Sequence, residues 1–357
     1  MKSSTHPSEF ISKQLSGNIR IYSGEAETLR QLHPTQLEII YRQNWFNLFV
    51  PEKYGGLGLS FVEGLQTEEA LAWIDGNVGW TVTLCSGANY FIGFLDSKAR
   101  DDIFVNPKVC LSGSGYPSGI ARKIKDGYVV TGRWKFATGA PHATVFTATC
   151  RIDTGDGSLQ EHENGKQDTA AFWFRKDEVT VREDWNTTGM IATASHSFEI
   201  TKVQVPDNRF FIIDPSRTTL PDPVYRYPFV QFAQATLAVN ICGMAIHFID
   251  LAKIILQQRQ AHSDRVLAHE KKLNRTRRSF YKSIKKSWHE LTSDGLIKPA
   301  TLNEVTDISQ KLATTARKSV DELYPYCGLI AASQGSEINR VWRDLHTAIQ
   351  HSLFRNQ

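Results

Sequence analysis

Disulfide chemistry has little to work with in this chain: its five cysteines, Cys85, Cys110, Cys150, Cys242 and Cys327, are odd in number, far apart and without a C-x-x-C pair. That excludes a disulfide framework and a zinc knuckle, and it leaves the five as reduced core residues with no metal site expected. No stretch approaches the roughly 18 uninterrupted apolar residues of a membrane span, and the opening MKSSTHPSEF lacks the apolar core of a secretory signal. A soluble, cytoplasmic protein without a membrane partner is the expectation. An excess of one charge is missing too. The 41 Lys and Arg face 37 Asp and Glu for a net +4, too even a balance for a chain organised around polyanions, so no nucleic acid is expected. There is no internal repeat and no low-complexity tract. What is present is 41% hydrophobic residues over 357 positions, enough to build the cores of two or three packed units.

The chain divides by period. Residues 8–105 read as helical, with Leu29, Leu32, Leu37, Ile40 and Tyr41 at helix-like intervals and a second stretch, Phe61 to Trp73, carrying Glu68-Glu69. Between them Pro51 to Gly58 is a glycine-rich loop. From about Lys108 the period changes: residues 121–125 and 128–132 flank Asp126-Gly127 as a β-hairpin. Further strands are expected in Thr144–Ile152, Ala170–Phe174, Val179–Arg182 and Ser197–Val205, with a polar insertion near 153–168. After the Pro-rich stretch 215–228, helices return over Phe229–Leu256 and 262–292, the latter with Leu273, Phe280, Ile284, Trp288 and Leu291 on one face. The expected class is α+β multidomain: helical over 1–107, β over 108–214, a helical bundle over 215–357.

Most short motifs have a plain explanation. Lys271 to Lys286 holds eight Lys/Arg and no acid, but its periodic apolar positions make it the solvated face of an amphipathic helix. Gly113-x-Gly115-x-x-x-Gly119 misses the dinucleotide fingerprint by one residue and precedes a strand, so a Rossmann site is excluded. Ser283-Ile-Lys-Lys286 matches S-x-x-K without partner motifs. His346 and His351 are five apart, out of register for two ligands on one helix face. There remain the Gly/Ser loop Leu111–Gly119, the strand Gly132-Arg-Trp-Lys-Phe-Ala-Thr-Gly139, and Arg343-Asp344 with His346 and His351. Small residues admit a flat ligand close to the backbone, and an aromatic followed two residues later by a hydroxyl suits stacking on a ring and bonding its edge.

Taken in order, Val50-Pro51-x-x-Tyr54-Gly55-Gly56-x-Gly58, Glu68-Glu69-Ala70, Asp75-x-x-x-Gly79-Trp80, Gly127-Tyr128-x-Val-Thr-Gly132, Gly189-Met190-x-x-Thr193-x-Ser195 leading to Val205-Pro206, and Arg343-Asp344 resemble the acyl-CoA dehydrogenase superfamily of flavoproteins over essentially the whole chain. The resemblance implies an N-terminal α-helical domain, a central β-barrel domain and a C-terminal four-helix bundle. It also implies a flavin between the last two, and a homo-oligomer, dimer or tetramer. It places Ser112, Ser114, Gly115, Phe136, Thr138 and Arg343 on the flavin, with Phe136 against the ring and Thr138 at its N5 edge, and Trp80, Tyr90 and His142 on the substrate side.

A dehydrogenase of this kind needs a carboxylate base. At the two places where family members keep it, this chain has Gly335, with Glu337 displaced by two residues, and the surroundings of Ala233, with no Glu from Val224 through Leu256. The family's Arg-x-x-Phe-Gly segment and the Glu-Gly-Thr after the Arg-Asp helix are missing as well, so the usual FAD contacts are in part absent. Pro117-x-Gly119, Gly132-Arg-Trp-x-Phe136-Ala-Thr138-Gly139-x-x-His142-Ala143 and Arg343-Asp-x-x-Thr347-Ala-x-x-His351 instead resemble the two-component flavin monooxygenases. The resemblance implies reduced flavin, FMN or FAD, delivered by a separate flavin reductase, and an oxygen adduct at the flavin C4a that oxygenates a small aromatic or related substrate. His351 is the histidine expected to assist. The branch often has a second histidine after the Gly-Trp; here Ser86-Gly-Ala-Asn89-Tyr90 offers only Asn89, which bonds but does not titrate. An acyl-CoA dehydrogenase or oxidase with a non-standard base, and a flavin-free homologue kept for binding or assembly, are the alternatives.

Overall fold

The computed structural model describes residues 5–155, 159 and 168–354; most of the polar insertion near 153–168 lies outside the described residues. Helices α1 (Lys13–Arg20), α2 (Ser23–Leu29), α3 (Pro34–Arg42), α4 (Phe61–Ile74), α5 (Gly76–Asn89) and α6 (Ser97–Phe104) make the first third. Their starts are written in the sequence. Ser60 and Glu63 form a capping box on α4, and the carboxylates of Asp75 and Asp96 accept the orphan N–H groups of Val78 and Ala99 at the heads of α5 and α6.

Strands β1 (Leu111–Ile124), β2 (Gly127–Ala137), β3 (Val145–Asp153), β4 (Thr169–Arg175), β5 (Thr180–Arg182), β6 (His196–Val205) and β7 (Phe210–Phe211) form one seven-stranded sheet in the order β5-β6-β2-β1-β3-β4-β7. β1 and β3 are parallel and the other neighbours antiparallel. Among the described residues no ladder joins β5 to β7, so where a barrel was expected the strands make a mixed open sheet. Its end strands, three and two residues long, offer too little backbone to close it. The hairpin forms one residue off the expected position: Ile124 pairs with Gly127 and the turn residues are Lys125 and Asp126. Gly127 has φ +142, and a Cβ there would lie 2.0 Å from the Val205 carbonyl oxygen, so the glycine serves the close approach of β6.

Helices α7 (Phe229–Gln258), α8 (Ser263–Asp294), α9 (Pro299–Cys327), α10 (Leu329–Ala332) and α11 (Glu337–Ala348) follow. α7 is long and apolar and lies inside the bundle, packed on α4, α5, α8, α9 and α11. On α8, Leu273, Phe280, Ile284 and Leu291 are buried as the periodicity requires, and Trp288 packs against the same core. The helices at both ends of the chain share one apolar core, whereas the sheet builds a second around Trp134, Phe146, Phe172 and Phe198. All five cysteines are free and buried. Surfaces of the sheet, α5 and α11 thus meet where the sequence motifs converge.

Candidate functional site

The site begins where two strands leave their ladders. β1 shifts register against β3 between Ser114 and Gly119, and β2 shifts against β6 between Trp134 and Ala137. Gly115–Ser118 and Lys135–Phe136 thereby fall outside regular pairing. The Ser118 hydroxyl, donating to the Arg133 carbonyl at 2.7 Å, keeps the two segments side by side. Phe136 has φ +68, a region that bulky residues seldom enter, at a cost of order 1–3 kcal/mol. The turn leaves its ring 67% exposed, with Trp185 edge-on at 6.1 Å. Such strain, held by the sheet on either side, presents an aromatic surface to a flat partner.

Behind this surface Thr138 is buried in a row of hydroxyls. Its Oγ1 lies 2.9 Å from Ser195 Oγ, Ser195 Oγ lies 2.8 Å from Thr193 Oγ1, and Thr193 Oγ1 donates to the Met190 carbonyl at 2.8 Å. The Thr138 carbonyl accepts from Ser112 Oγ at 2.7 Å and from Cys85 Sγ at 3.6 Å, which ties β1 and α5 to the same point. The Gly139 N–H reaches the Thr193 carbonyl at 2.9 Å.

The row is anchored from α11. Asp344 accepts the Met190 N–H at 2.5 Å with Oδ1 and Asn77 Nδ2 at 3.0 Å with Oδ2, and Asn77 Oδ1 accepts the Ala192 N–H at 2.9 Å. Burial, followed by the negative charge of Asp75, pushes the Asp344 carboxyl up to about 8, against the pull of the Met190 N–H. Gly189 lets the loop touch the helix: a Cβ there would sit 2.1 Å from the Arg343 carbonyl oxygen. Arg343 points the other way. Its guanidinium grips Glu27 with two bonds of 2.9 Å and donates to the Thr188 carbonyl at 2.6 Å, so it fastens α2 and the 188–190 loop to α11.

Residues 232–356 match the acyl-CoA dehydrogenase, C-terminal domain family. The crystal structure of 3-HSA hydroxylase from Rhodococcus superposes with a TM-score of 0.89 at 21% identity, covering 99% of this chain and 94% of that one. The fold is acyl-CoA dehydrogenase-like. A flavin-dependent monooxygenase oxygenase subunit, HsaA of Rhodococcus jostii, is 24% identical over 94% of this chain and 91% of its own length. The structure of XiaF from Streptomyces, in complex with FADH2 and glycerol, has a TM-score of 0.84 at 18% identity, covering 98% of this chain and 91% of that one. The relatives of this acyl-CoA dehydrogenase-like chain are thus flavin-dependent monooxygenases, as its sequence motifs imply.

Within this acyl-CoA dehydrogenase-like fold the expected site residues separate. Ser112 and Thr138 meet, Phe136 opens beside them, Ser114 is the last residue of β1 paired with β3 before the register shift, and Gly115 follows it out of the ladder, with Ser114 Oγ accepting the Tyr116 N–H at 3.5 Å. Trp80, the residue before Thr81, which with Cys85 faces Gly139, meets His351 with ring centroids 6.1 Å apart. His351 Nδ1 accepts the Leu353 N–H at 3.3 Å. His142 is held neutral, its imidazole pushed down to about 4 by burial and then by Lys176. Asn89 and Tyr90 stand apart from the hydroxyl row. Asn89 bonds Asn47 at 2.7 Å and the Leu111 N–H at 2.8 Å, and the Tyr90 hydroxyl sits over the Val224, Tyr225 and Tyr227 carbonyls at 3.3–3.4 Å, so both knit the fold. A surface cleft of about 370 Å³ beside Ile103, Val145, Trp173 and Lys176 contains none of these residues.

Sequence reading did not single out Asn77, Trp185, Thr193, Ser195 and Asp344 as site residues. Thr193, Ser195 and Asp344 stood in the recognised motifs, and that was the signal available. Glu337, the carboxylate nearest in sequence to the missing base, lies 3.1 Å from His247 Nε2, and His247 holds its carboxyl down to about 2. A carboxylate so stabilised is a weak base.

Proposed function

We propose that this chain is the oxygenase component of a two-component flavin-dependent monooxygenase acting on a small aromatic or related substrate. The observation that carries the reading is that Asp75, Asp344, Glu27 and Glu337, carboxylates of α2, α5 and α11 at the junction, are engaged. Asp75 caps α5 at Val78, Asp344 holds Met190 and Asn77, Glu27 holds Arg343, and Glu337 faces His247. What the junction offers in their place is hydroxyls, an exposed aromatic and a histidine, which suit a reduced flavin and an oxygen-transfer reaction and do not suit α-proton abstraction. The relatives point to the same class.

The reduced flavin, FMN or FAD, supplies the two electrons with which one atom of O2 enters the substrate and the other leaves as water. The residues that would hold it are Ser114, which is half-buried, Gly115 and Phe136, which are exposed, and Thr138, which is buried two positions after Phe136. Ser112 fixes the Thr138 backbone. Trp80 and His351 meet ring against ring on the α5 and α11 side, and His351 is the histidine assigned to assist the oxygen transfer. A separate reductase is the source of reduced flavin.

The test supplies a flavin reductase, NADH, isotopically labelled O2 and a panel of phenols and indoles, and follows products by mass spectrometry. Incorporation of one labelled oxygen atom into a substrate is expected. Reduction of the bound flavin by acyl-CoA thioesters, with no oxygenated product from the panel, would overturn the reading.

A further inference from the structure

Hydrogen bookkeeping along the buried hydroxyl row fixes which way each proton points. A hydroxyl has one hydrogen to donate and two lone pairs to accept with. The contact between Thr193 Oγ1 and the Met190 carbonyl oxygen is 2.8 Å, and the carbonyl has no hydrogen, so the Thr193 proton lies in that contact. The 2.8 Å contact between Thr193 and Ser195 must then contain the Ser195 proton, and the 2.9 Å contact between Ser195 and Thr138 must contain the Thr138 proton. Nothing is left on Thr138 Oγ1 for a ligand except a lone pair. Reversing the row would place two bare oxygen lone pairs against each other 2.8 Å apart. The row cannot relax easily either, because its far end hangs on Met190, whose N–H is held by Asp344, and on Ala192, held by Asn77.

We propose that Thr193 and Ser195 are positioning residues that make Thr138 a one-way acceptor, so that this site selects reduced over oxidised flavin. The proposal rests on the reading that Thr138 meets the flavin N5 edge. N5 of a reduced flavin carries a hydrogen and donates, whereas N5 of an oxidised flavin has a lone pair and accepts. Thr138 therefore bonds the reduced form and faces the oxidised form lone pair to lone pair. An oxygenase served by a separate reductase benefits directly, since the oxidised flavin formed in each turnover is expelled and fresh reduced flavin is admitted.

Anaerobic titration with reduced and with oxidised FAD gives the ratio of the two dissociation constants for wild type, Ser195→Ala, Thr193→Val, Thr193→Ser and Thr138→Val. Wild type and Thr193→Ser, which keeps the row intact, are expected to favour reduced FAD. Ser195→Ala and Thr193→Val free the Thr138 proton and are expected to lower that preference about tenfold, chiefly by tightening the oxidised complex. The potential of the bound flavin falls with it, by about 30 mV for tenfold in a two-electron couple. A preference unchanged in Ser195→Ala and Thr193→Val but reduced in Thr138→Val would overturn the proposal and leave Thr138 at the flavin. So would equal weakening of both forms in those two variants, the mark of a merely structural role. Thr138→Val binding both forms like wild type would show instead that Thr138 does not meet the flavin, and the reading beneath the proposal would fall.

Discussion

Asp344 is a buried carboxylic acid that accepts two N–H bonds. Burial and the charge of Asp75 raise its carboxyl from the ordinary 3.8 to about 8, so the folded chain keeps a proton that the unfolded chain releases between those values. The stability this gives is fully present below about pH 4 and is lost as pH rises through 8. Urea unfolding from pH 5 to 8 should show wild-type stability falling with pH more steeply than Asp344→Asn, by up to about 1.4 kcal/mol per pH unit; equal slopes would contradict it. The two C-terminal histidines separate in the same way. His346 is tied to Asp321 at 2.7 Å and to the Trp342 carbonyl, away from Trp80. His351→Ala should lower substrate oxygenation by about a hundredfold with reduced flavin diverted to hydrogen peroxide, and His346→Ala should not; the ratio of product to peroxide measures both. At this scale the sequence showed residue types better than partners. The positions of Thr138 and Phe136 at the end of β2 were legible from an aromatic and a hydroxyl two positions apart, whereas Asn89, Tyr90 and Arg343 have polar groups whose bonds only the packed chain defines. The bond from Asn77 to Asp344 spans 267 positions and has no local signal.

Between elements, one ion pair fastens α4 to α8. The Arg277 guanidinium, nearly buried, bonds Glu69 at 2.7 and 2.6 Å, and the Tyr281 hydroxyl adds a third bond to that carboxylate at 2.9 Å. Removing one partner of such a pair leaves an uncompensated buried charge, so Arg277→Met should destabilise the chain by about 3–5 kcal/mol. Arg277→Met with Glu69→Gln should recover much of that loss in chemical denaturation; a double variant as weak as the single one would contradict the pairing. The eight-residue basic set on α8 was read as a solvated face, and this holds for Arg275, Arg278, Lys282 and Lys285, which are exposed. Arg277 is the exception, because the same helical period that buries Phe280 and Ile284 carries it inward to Glu69. Amphipathic α8 and the β1–β2 hairpin were legible since their signals are local. The parallel pairing of β1 with β3, and the sheet's failure to close, depend on which strands lie side by side, and no short window of sequence records that.

For the whole molecule, apolar side chains remain on the outer bundle: Val230 and Ile254 on α7, Leu267 on α8, and Leu329 and Ile330 on α10 are 44–87% exposed. Covering them is the natural use of a second copy, so we propose a homodimer or homotetramer, and sedimentation at micromolar concentration should show one. A monomer would contradict it. Oxygen chemistry on reduced flavin, and not dehydrogenation of an acyl thioester, is the central claim, and rapid mixing tests it most directly. Reduced flavin bound to the protein under anaerobic conditions is mixed with O2 and its absorbance followed. A transient species is expected to appear before the oxidised flavin spectrum returns, and acyl-CoA thioesters should leave the oxidised flavin unbleached. Direct return to oxidised flavin with no transient, together with bleaching by acyl-CoA thioesters, would contradict the account.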